Sequence, residues 1–165
     1  MTRAEGLADE LERAYQEFAD LVAALDERRW RATAANHPEI RRGEDERRAV
    51  GVVAHHVGDA LPLLAERARR VATGEPLPPV TAADLDGINA KHAAVNPSPD
   101  QAETVAMIRD NASRAAAIVR ELTDPQLERA GETGRGAQAA EAFIRRIAIG
   151  HAAWHAASIR ATVGR

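Results

Sequence analysis

Apolar residues recur every three or four positions in four long stretches of the chain, a spacing typical of helices that bury one face. The first stretch carries six such residues on a single stripe: Leu7, Leu11, Tyr15, Phe18, Val22 and Leu25. The pattern predicts four long helices. Their approximate ranges are residues 3–27, 44–73, 98–121 and 137–163.

Residues with known positional preferences mark the helix ends. Ser98 is predicted as the N-cap of the third helix, with Pro99 at its first position. Gly74 is a suitable C-terminal stop for the second helix, whereas Pro62 inside that helix predicts a kink. The connection at residues 131–136, GETGRG, is predicted to be flexible.

A short extra helix is predicted between helices two and three. Thr81 and Asp84 have the spacing of a capping box, and the helix would continue to about His92. Together these elements predict an all-α fold, a four-helix bundle formed by one domain over residues 1–165. The composition agrees with packed helices. Because 45% of residues are hydrophobic but only 3% are aromatic, the core must be built mainly from Ala, Val, Leu and Ile.

Charge and cysteine content narrow the possible functions. The chain has 22 basic and 25 acidic residues, intermixed along its length, so we expect no nucleic-acid partner. It has no apolar run of the roughly 20 residues that a membrane helix needs, and its charged N-terminus does not resemble a signal peptide. We therefore expect a cytoplasmic protein. Because cysteine is absent, any metal must be held by His, Asp or Glu.

Two histidines lie four positions apart in the last helix. His151 and His155, in IGHAAWHAASIR, are predicted to face the interior together with Ile144 and Ala148. Buried imidazoles need polar partners, and a divalent metal would serve both. The alternative is a pair of histidines at the edge of the core, satisfied by carbonyls, water or polar neighbours.

The second helix offers a third ligand in the segment VVAHHVGD. If Val57 lies at the centre of the buried stripe, His56 lies beside the stripe and His55 on the outer face. His56 is therefore the predicted ligand, and His55 is predicted to be a solvated surface or edge residue. His55 would replace it if the register of the helix differs.

This histidine pattern resembles the DinB/YfiT-like superfamily of metal-binding four-helix bundles. In those proteins one histidine of helix two and an H-x-x-x-H in the last helix bind a divalent metal, which corresponds here to His56, His151 and His155. The superfamily includes thiol-dependent S-transferases and mycothiol-dependent maleylpyruvate isomerases. The resemblance implies a zinc or nickel site, a small-molecule substrate, a low-molecular-weight thiol such as mycothiol, and a homodimer.

Three histidine ligands leave coordination positions open for water, substrate or thiolate, which is typical of a reactive metal site. Asn89 and His92, three residues apart in the short helix, are candidates to orient substrate or act as a general base. Equally, they could belong to a polar connector. His37, beside Pro38, is predicted to be a loop residue.

Two hypotheses about function follow. The first is a metal-dependent enzyme that transfers or isomerises with a thiol, or hydrolyses a small substrate. The second is a noncatalytic, metal-stabilised module that binds a small molecule or acts in a stress response. A zinc protease is excluded because Ala152, not Glu, follows His151, and a di-iron carboxylate bundle is excluded because E-x-x-H does not occur.

Overall fold

A computed structural model describes residues 1–35, 48–133 and 136–164 of the chain. It is mostly helical, in agreement with the predicted all-α class. The helices are α1 (Arg3–Ala23), α2 (Glu27–Trp30), α3 (Val50–Thr73), α4 (Ala82–Val95), α5 (Gln101–Arg120), α6 (Asp124–Glu128), α7 (Ala140–Phe143) and α8 (Gly150–Val163). A π-helical segment, Ile144–Ile149, joins α7 to α8.

The long helices share one hydrophobic core. Helix α5 packs against both α1 and α3, and the continuous segment from α7 to α8 packs against the same two helices. The apolar stripe predicted for the first helix is buried from Leu7 to Val22, whereas its last member, Leu25, lies beyond the end of α1 and is half-buried against the core. Alanine is the most frequent residue of this core and includes Ala65, Ala68, Ala112 and Ala116.

Several predicted helix ends are found where the sequence places them. Gly74 ends α3 in the left-handed conformation, with φ of 79°. Thr81 and Asp84 form the capping box that begins α4. Pro62 lies in the interior of α3, and the kink expected there stays a prediction.

Other boundaries differ from the prediction. The N-cap of α5 is Asp100, whose carboxylate accepts a hydrogen bond from the Glu103 amide, so the predicted N-cap Ser98 is wrong. Serine and aspartate are both favourable N-cap residues. In the structure the Pro99 carbonyl accepts a 3.1 Å hydrogen bond from the indole of Trp30. The first helix ends at Ala23, and a separate turn, α2, carries Trp30.

The connection predicted to be flexible is partly an antiparallel hairpin. Strand β1 (Ala130–Glu132) pairs with β2 (Ala137–Ala139), with Gly131 opposite Gln138. The last helix therefore begins at Ala140, three residues later than expected. Among the described residues, no helix is both long enough and apolar enough to cross a membrane.

Candidate metal centre

Three histidines from two helices converge in the core. His56 lies on α3, and His151 and His155 lie one turn apart on α8. One ring nitrogen of each is within 4.8 Å of the others. The structure thus brings together the three residues that the sequence indicates as ligands.

The spacing of the rings fits a single small cation. The Nε2 atoms of His56 and His151 are 3.2 Å apart. Two imidazole ligands of a tetrahedral zinc ion, each about 2.0–2.1 Å from the metal, have nitrogens about 3.3 Å apart. The ring centroids are separated by 5.1 Å for His56 and His151, by 5.6 Å for His56 and His155, and by 4.7 Å for His151 and His155. The nitrogens of His56 and His151 already have the separation of two ligands of one ion, and with a nitrogen of His155 they form a group whose members all lie within 4.8 Å of one another.

The backbone before His151 helps to orient the pair on α8. The segment Ile144–Ile149 is π-helical, a conformation that changes the direction of the side chains that follow it and is frequent at functional sites. Tyr15 of α1, which is fully buried, donates a 3.0 Å hydrogen bond to the carbonyl of Ala148 in this segment. The position of His151 is therefore linked to the packing of α1.

Two imidazoles of the cluster, those of His56 and His151, are held in their neutral form. Burial, followed by the neighbouring His151, lowers the pKa of His56 to about 3. Burial and then His155 lower the pKa of His151 well below its ordinary value. A metal ligand must be deprotonated, so these rings are ready to bind a cation at neutral pH.

Hydrogen bonding within the cluster is incomplete among the described residues. The Nε2 atoms of His151 and His56 face each other, and only one of the two can be the donor in a hydrogen bond between them. His151 Nδ1 is buried without a hydrogen-bond partner among the described residues. Three nitrogen ligands of this kind suit zinc or nickel, and a cation would engage the facing lone pairs directly.

Two further histidines lie beside the cluster. The ring of His92, on α4, is 5.4 Å from that of His56. His92 Nε2 is also 2.9 Å from Nδ1 of His55. His55 is therefore half-buried and hydrogen-bonded, not a solvated side chain, because α4 covers that side of α3.

The second candidate on α4, Asn89, is not part of this contact network. Its side chain is half-buried, and it makes no hydrogen bond within the described residues. His37 and its neighbours at 36–47 lie outside the described residues. Of the two candidates on α4, His92 is therefore the one that contacts the cluster.

Sequence reasoning missed two charged residues near the histidines. Asp59 Oδ2 is 3.9 Å from His92 Nε2, one helical turn beyond His55 on α3. The positive charge of Arg48 is close enough to contribute to the lowered pKa of both His56 and His92. The i,i+4 spacing of His55 and Asp59 in HHVGD was the available signal for the first of these.

A cavity of about 570 Å³ opens beside His55. Its other walls come from the end of α4, the loop that follows it and the first half of α5, and include Asn96, Asp100 and Met107. The volume is in the range of small-molecule sites. Through His55 and His92, the cavity adjoins the three-histidine cluster.

Compared with protein-family models, with curated proteins and with solved structures, the chain matches none.

Proposed function

We propose that this chain is a metal-dependent enzyme of the DinB/YfiT-like superfamily, with its long helices arranged as that superfamily's four-helix bundle. His56, His151 and His155 would hold one divalent ion, zinc or nickel. The reaction would be transfer or isomerisation with a low-molecular-weight thiol such as mycothiol, or hydrolysis of a small substrate. The observation that carries the proposal is the convergence of these three imidazoles.

The convergence is specific because the residues are remote in sequence. His56 and His151 are separated by 95 positions, yet their Nε2 atoms are 3.2 Å apart. Three imidazole nitrogens placed this closely can all serve as ligands of one divalent cation. The order of the ligands along the chain is also that of the superfamily.

The surrounding residues support a small-molecule reaction. A bound divalent ion supplies Lewis-acid chemistry, which lowers the pKa of a bound water or thiol and polarises a carbonyl. The cavity beside His55 has room for a small substrate, and His92 contacts both His55, which lines that cavity, and His56. His92, with Asn89 on the same helix, would orient the substrate.

The alternative is a noncatalytic module in which the metal is structural. It is favoured by the connection that the three histidines make between α3 and α8, because an ion there would stabilise the packing of both helices. Metal content does not separate the two functions, but activity does.

Metal binding is tested first, on protein purified without an affinity tag and stripped with a chelator. Zinc or nickel should raise the melting temperature of the wild type and of the control His37→Gln, but not that of His151→Gln. Less than about a tenth of an equivalent of metal in the wild type before stripping, together with no thermal shift when zinc or nickel is added afterwards, would remove the site.

Catalysis is tested by offering the loaded wild type thiols and electrophilic small molecules. Turnover that is lost in His151→Gln and kept in His37→Gln supports the enzyme. Metal-dependent stability without turnover supports the structural module.

We also propose that the protein is a cytoplasmic homodimer. Leu63, Ile88 and Val95 are exposed apolar residues on α3 and α4, which supports an association surface on this side. Light scattering coupled to gel filtration would show the mass of a dimer; a monomer at micromolar concentration would contradict this part of the proposal.

A further inference from the structure

Three arginines lie along one side of the C-terminal half of α3. Arg67 and Arg70 are three positions apart on the same face of the helix, so their Cβ atoms are about 5–6 Å apart. Arg129, at the end of α6, reaches Gly74, one turn after Arg70, and its Nη1 is 3.2 Å from the position that a Cβ of this glycine would occupy. We propose that Arg67, Arg70 and Arg129 form a binding site for a phosphate group.

The positive charge of Arg67 is not balanced by a carboxylate. Its side chain is half-buried and makes no ion pair with any described residue. Its Nη2 donates one long hydrogen bond, of 3.4 Å, to the carbonyl of Thr133. Burial, followed by the neighbouring charge of Arg70, lowers the pKa of Arg67. Two guanidinium groups placed side by side and partly away from water repel each other, and an anion that contacts both would offset this cost.

The acidic residues closest to the arginines are engaged by another side chain. Arg69 binds both Glu66 and Glu75, with nitrogen–oxygen distances of 2.8 Å to each. Glu75 Oε2 is 3.7 Å from Arg70 Nε, which is too far for a hydrogen bond. The Arg70 guanidinium therefore makes no hydrogen bond to a carboxylate within the described part of the chain, and its side chain is 33% exposed. Its donors remain available to an anion from solution.

The β-hairpin covers one side of the arginines without neutralising them. Gly131 of β1 packs against α3, since a Cβ on this glycine would lie 3.4 Å from Cγ1 of Val71. Successive side chains of a strand point to opposite faces, so the carboxylate of Glu132 points away from α3. The hairpin thus adds burial to this surface but no negative charge.

The number and type of donors indicate phosphate. A guanidinium group presents its N–H donors in a planar fork that matches the oxygens of a phosphate, and a phosphate carries about two negative charges. The C-terminal end of α3 also attracts cations, but it is equivalent to only about half a negative charge, against three positive ones. An excess of positive charge therefore remains for a ligand.

This site is separate from the histidine cluster. Arg67 follows His56 by 11 positions on α3, which corresponds to about 17 Å along the helix. Phosphate binding here does not depend on a metal at the three histidines, so either proposal can fail without the other.

The test is a titration of the full chain, as purified, with inorganic phosphate at constant ionic strength, replacing chloride. Binding is followed through the NMR signals of the arginine Nε–Hε groups, and the wild type should give saturable shifts at Arg67 and Arg70. Substituting glutamine for Arg67, Arg70 or Arg129 should weaken binding at least about tenfold, because each substitution removes a charged donor. Arg114→Gln is the matched control, since Arg114 is an exposed α5 side chain paired with Asp110, and it should bind as the wild type does.

Two more variants separate the site from its alternatives. Glu75→Gln removes the carboxylate nearest to Arg70 and should strengthen phosphate binding. His151→Gln should bind phosphate as the wild type does, whereas loss of binding in this variant would assign the phosphate to the metal centre and overturn the site. Shifts that do not saturate in the wild type, or equal binding by Arg67→Gln and Arg114→Gln, would also overturn it.

The source of the phosphate group is tested with glycerol phosphate in place of the inorganic ion. Binding of both indicates a site for a phosphate carried by a small molecule, and binding of inorganic phosphate alone indicates a site for the free ion. Circular dichroism checks the fold of each variant. Arg70→Gln keeps the test decisive if Arg67→Gln misfolds, because the Arg70 side chain is the more loosely held of the two, with no hydrogen bond to any described residue.

Discussion

The hydroxyl of Tyr15 donates a 3.0 Å hydrogen bond to the carbonyl of Ala148, three residues before His151. Tyr15 lies at the centre of α1 and is fully buried, and Ala148 belongs to the π-helical segment. A residue of the first helix thus fixes the irregular turn from which two of the three clustered histidines extend. Burial also raises the pKa of Tyr15, so the hydroxyl keeps its proton and donates at every physiological pH.

Tyr15→Phe tests this link. The substitution keeps the ring and removes only the hydroxyl, so we expect a loss of about 1 kcal/mol in the free energy of unfolding. Urea denaturation of the metal-free protein measures it. Unchanged stability would show that the Ala148 carbonyl does not depend on Tyr15.

Gly58→Ala tests the close approach of α3 to α5. A methyl group at Gly58 would lie 2.7 Å from Cγ1 of Ile108 and 2.9 Å from Cε of Met107, well inside van der Waals contact. We expect destabilisation by about 1–3 kcal/mol, as for other overpacked positions. Gly87→Ala on α4 is the control, because nothing lies within 4 Å of its added methyl. That variant should be neutral or more stable by up to about 1 kcal/mol, and equal effects of the two would contradict the packing.

Gln101→Ala tests a hydrogen bond between helices. The Gln101 side-chain amide donates to the carbonyls of Val22 and Leu25, at 2.7 Å and 2.9 Å, and so caps the C-terminal end of α1. Its loss should cost about 1–2 kcal/mol of unfolding free energy, since the carbonyls are partly buried. Gln16→Ala removes an exposed bond to Asp20 and should change stability by less than about 0.5 kcal/mol. A cost for Gln101→Ala no larger than that of Gln16→Ala would argue against the cap.

The metal-free protein should lose stability in mild acid because of His56. The pKa of His56 is lowered to about 3, whereas an unfolded histidine titrates near 6.5. Between these values the unfolded chain binds a proton that the folded chain does not, so stability falls as the pH decreases from about 6.5. At about pH 5 this contribution reaches up to about 2 kcal/mol.

Urea denaturation at about pH 7.5 and about pH 5 measures the effect. His56→Gln should lose up to about 2 kcal/mol less than the wild type between these two conditions. An equal loss in both proteins would mean that His56 is accessible to protons in the folded state.

Much of the helical structure follows from the sequence because it depends on local signals. The stripe of α1, the capping box at Thr81 and the terminal Gly74 each act through residues a few positions apart. The N-cap of α5 was misassigned because Ser98 and Asp100 are both good caps. In the structure the Pro99 carbonyl accepts a tertiary hydrogen bond from Trp30, a contact that no local pattern signals.

The hairpin and the π-helical turn lack such signals. The strands Ala130–Glu132 and Ala137–Ala139 contain no β-branched or aromatic residue, so nothing in their composition indicates a strand. The segment IRRIAI has the composition of an ordinary helix, and its conformation depends on contacts with distant residues such as Tyr15.

In the candidate site, too, features set by local patterns could be predicted, whereas features set by tertiary contacts could not. His56 could be chosen over His55 as the residue beside the buried stripe, because α3 is regular and its apolar stripe defines the inner face. The contact between His55 and His92 could not be predicted, because α4 has no apolar stripe and its placement depends on tertiary structure. Asp59 was missed for the same reason.

The exposure of α4 has a consequence for dynamics. Since His92 is its one buried residue, detaching α4 uncovers very little apolar surface, and its backbone amides should exchange with solvent deuterium through local opening alone. Amides around His56 and His155, in helices with extensive buried faces, should exchange only when the whole domain unfolds. The region formed by the five described histidines therefore consists of two cooperative units of unequal stability. Each opening of the less stable unit, α4, carries His92 away from the other four histidines.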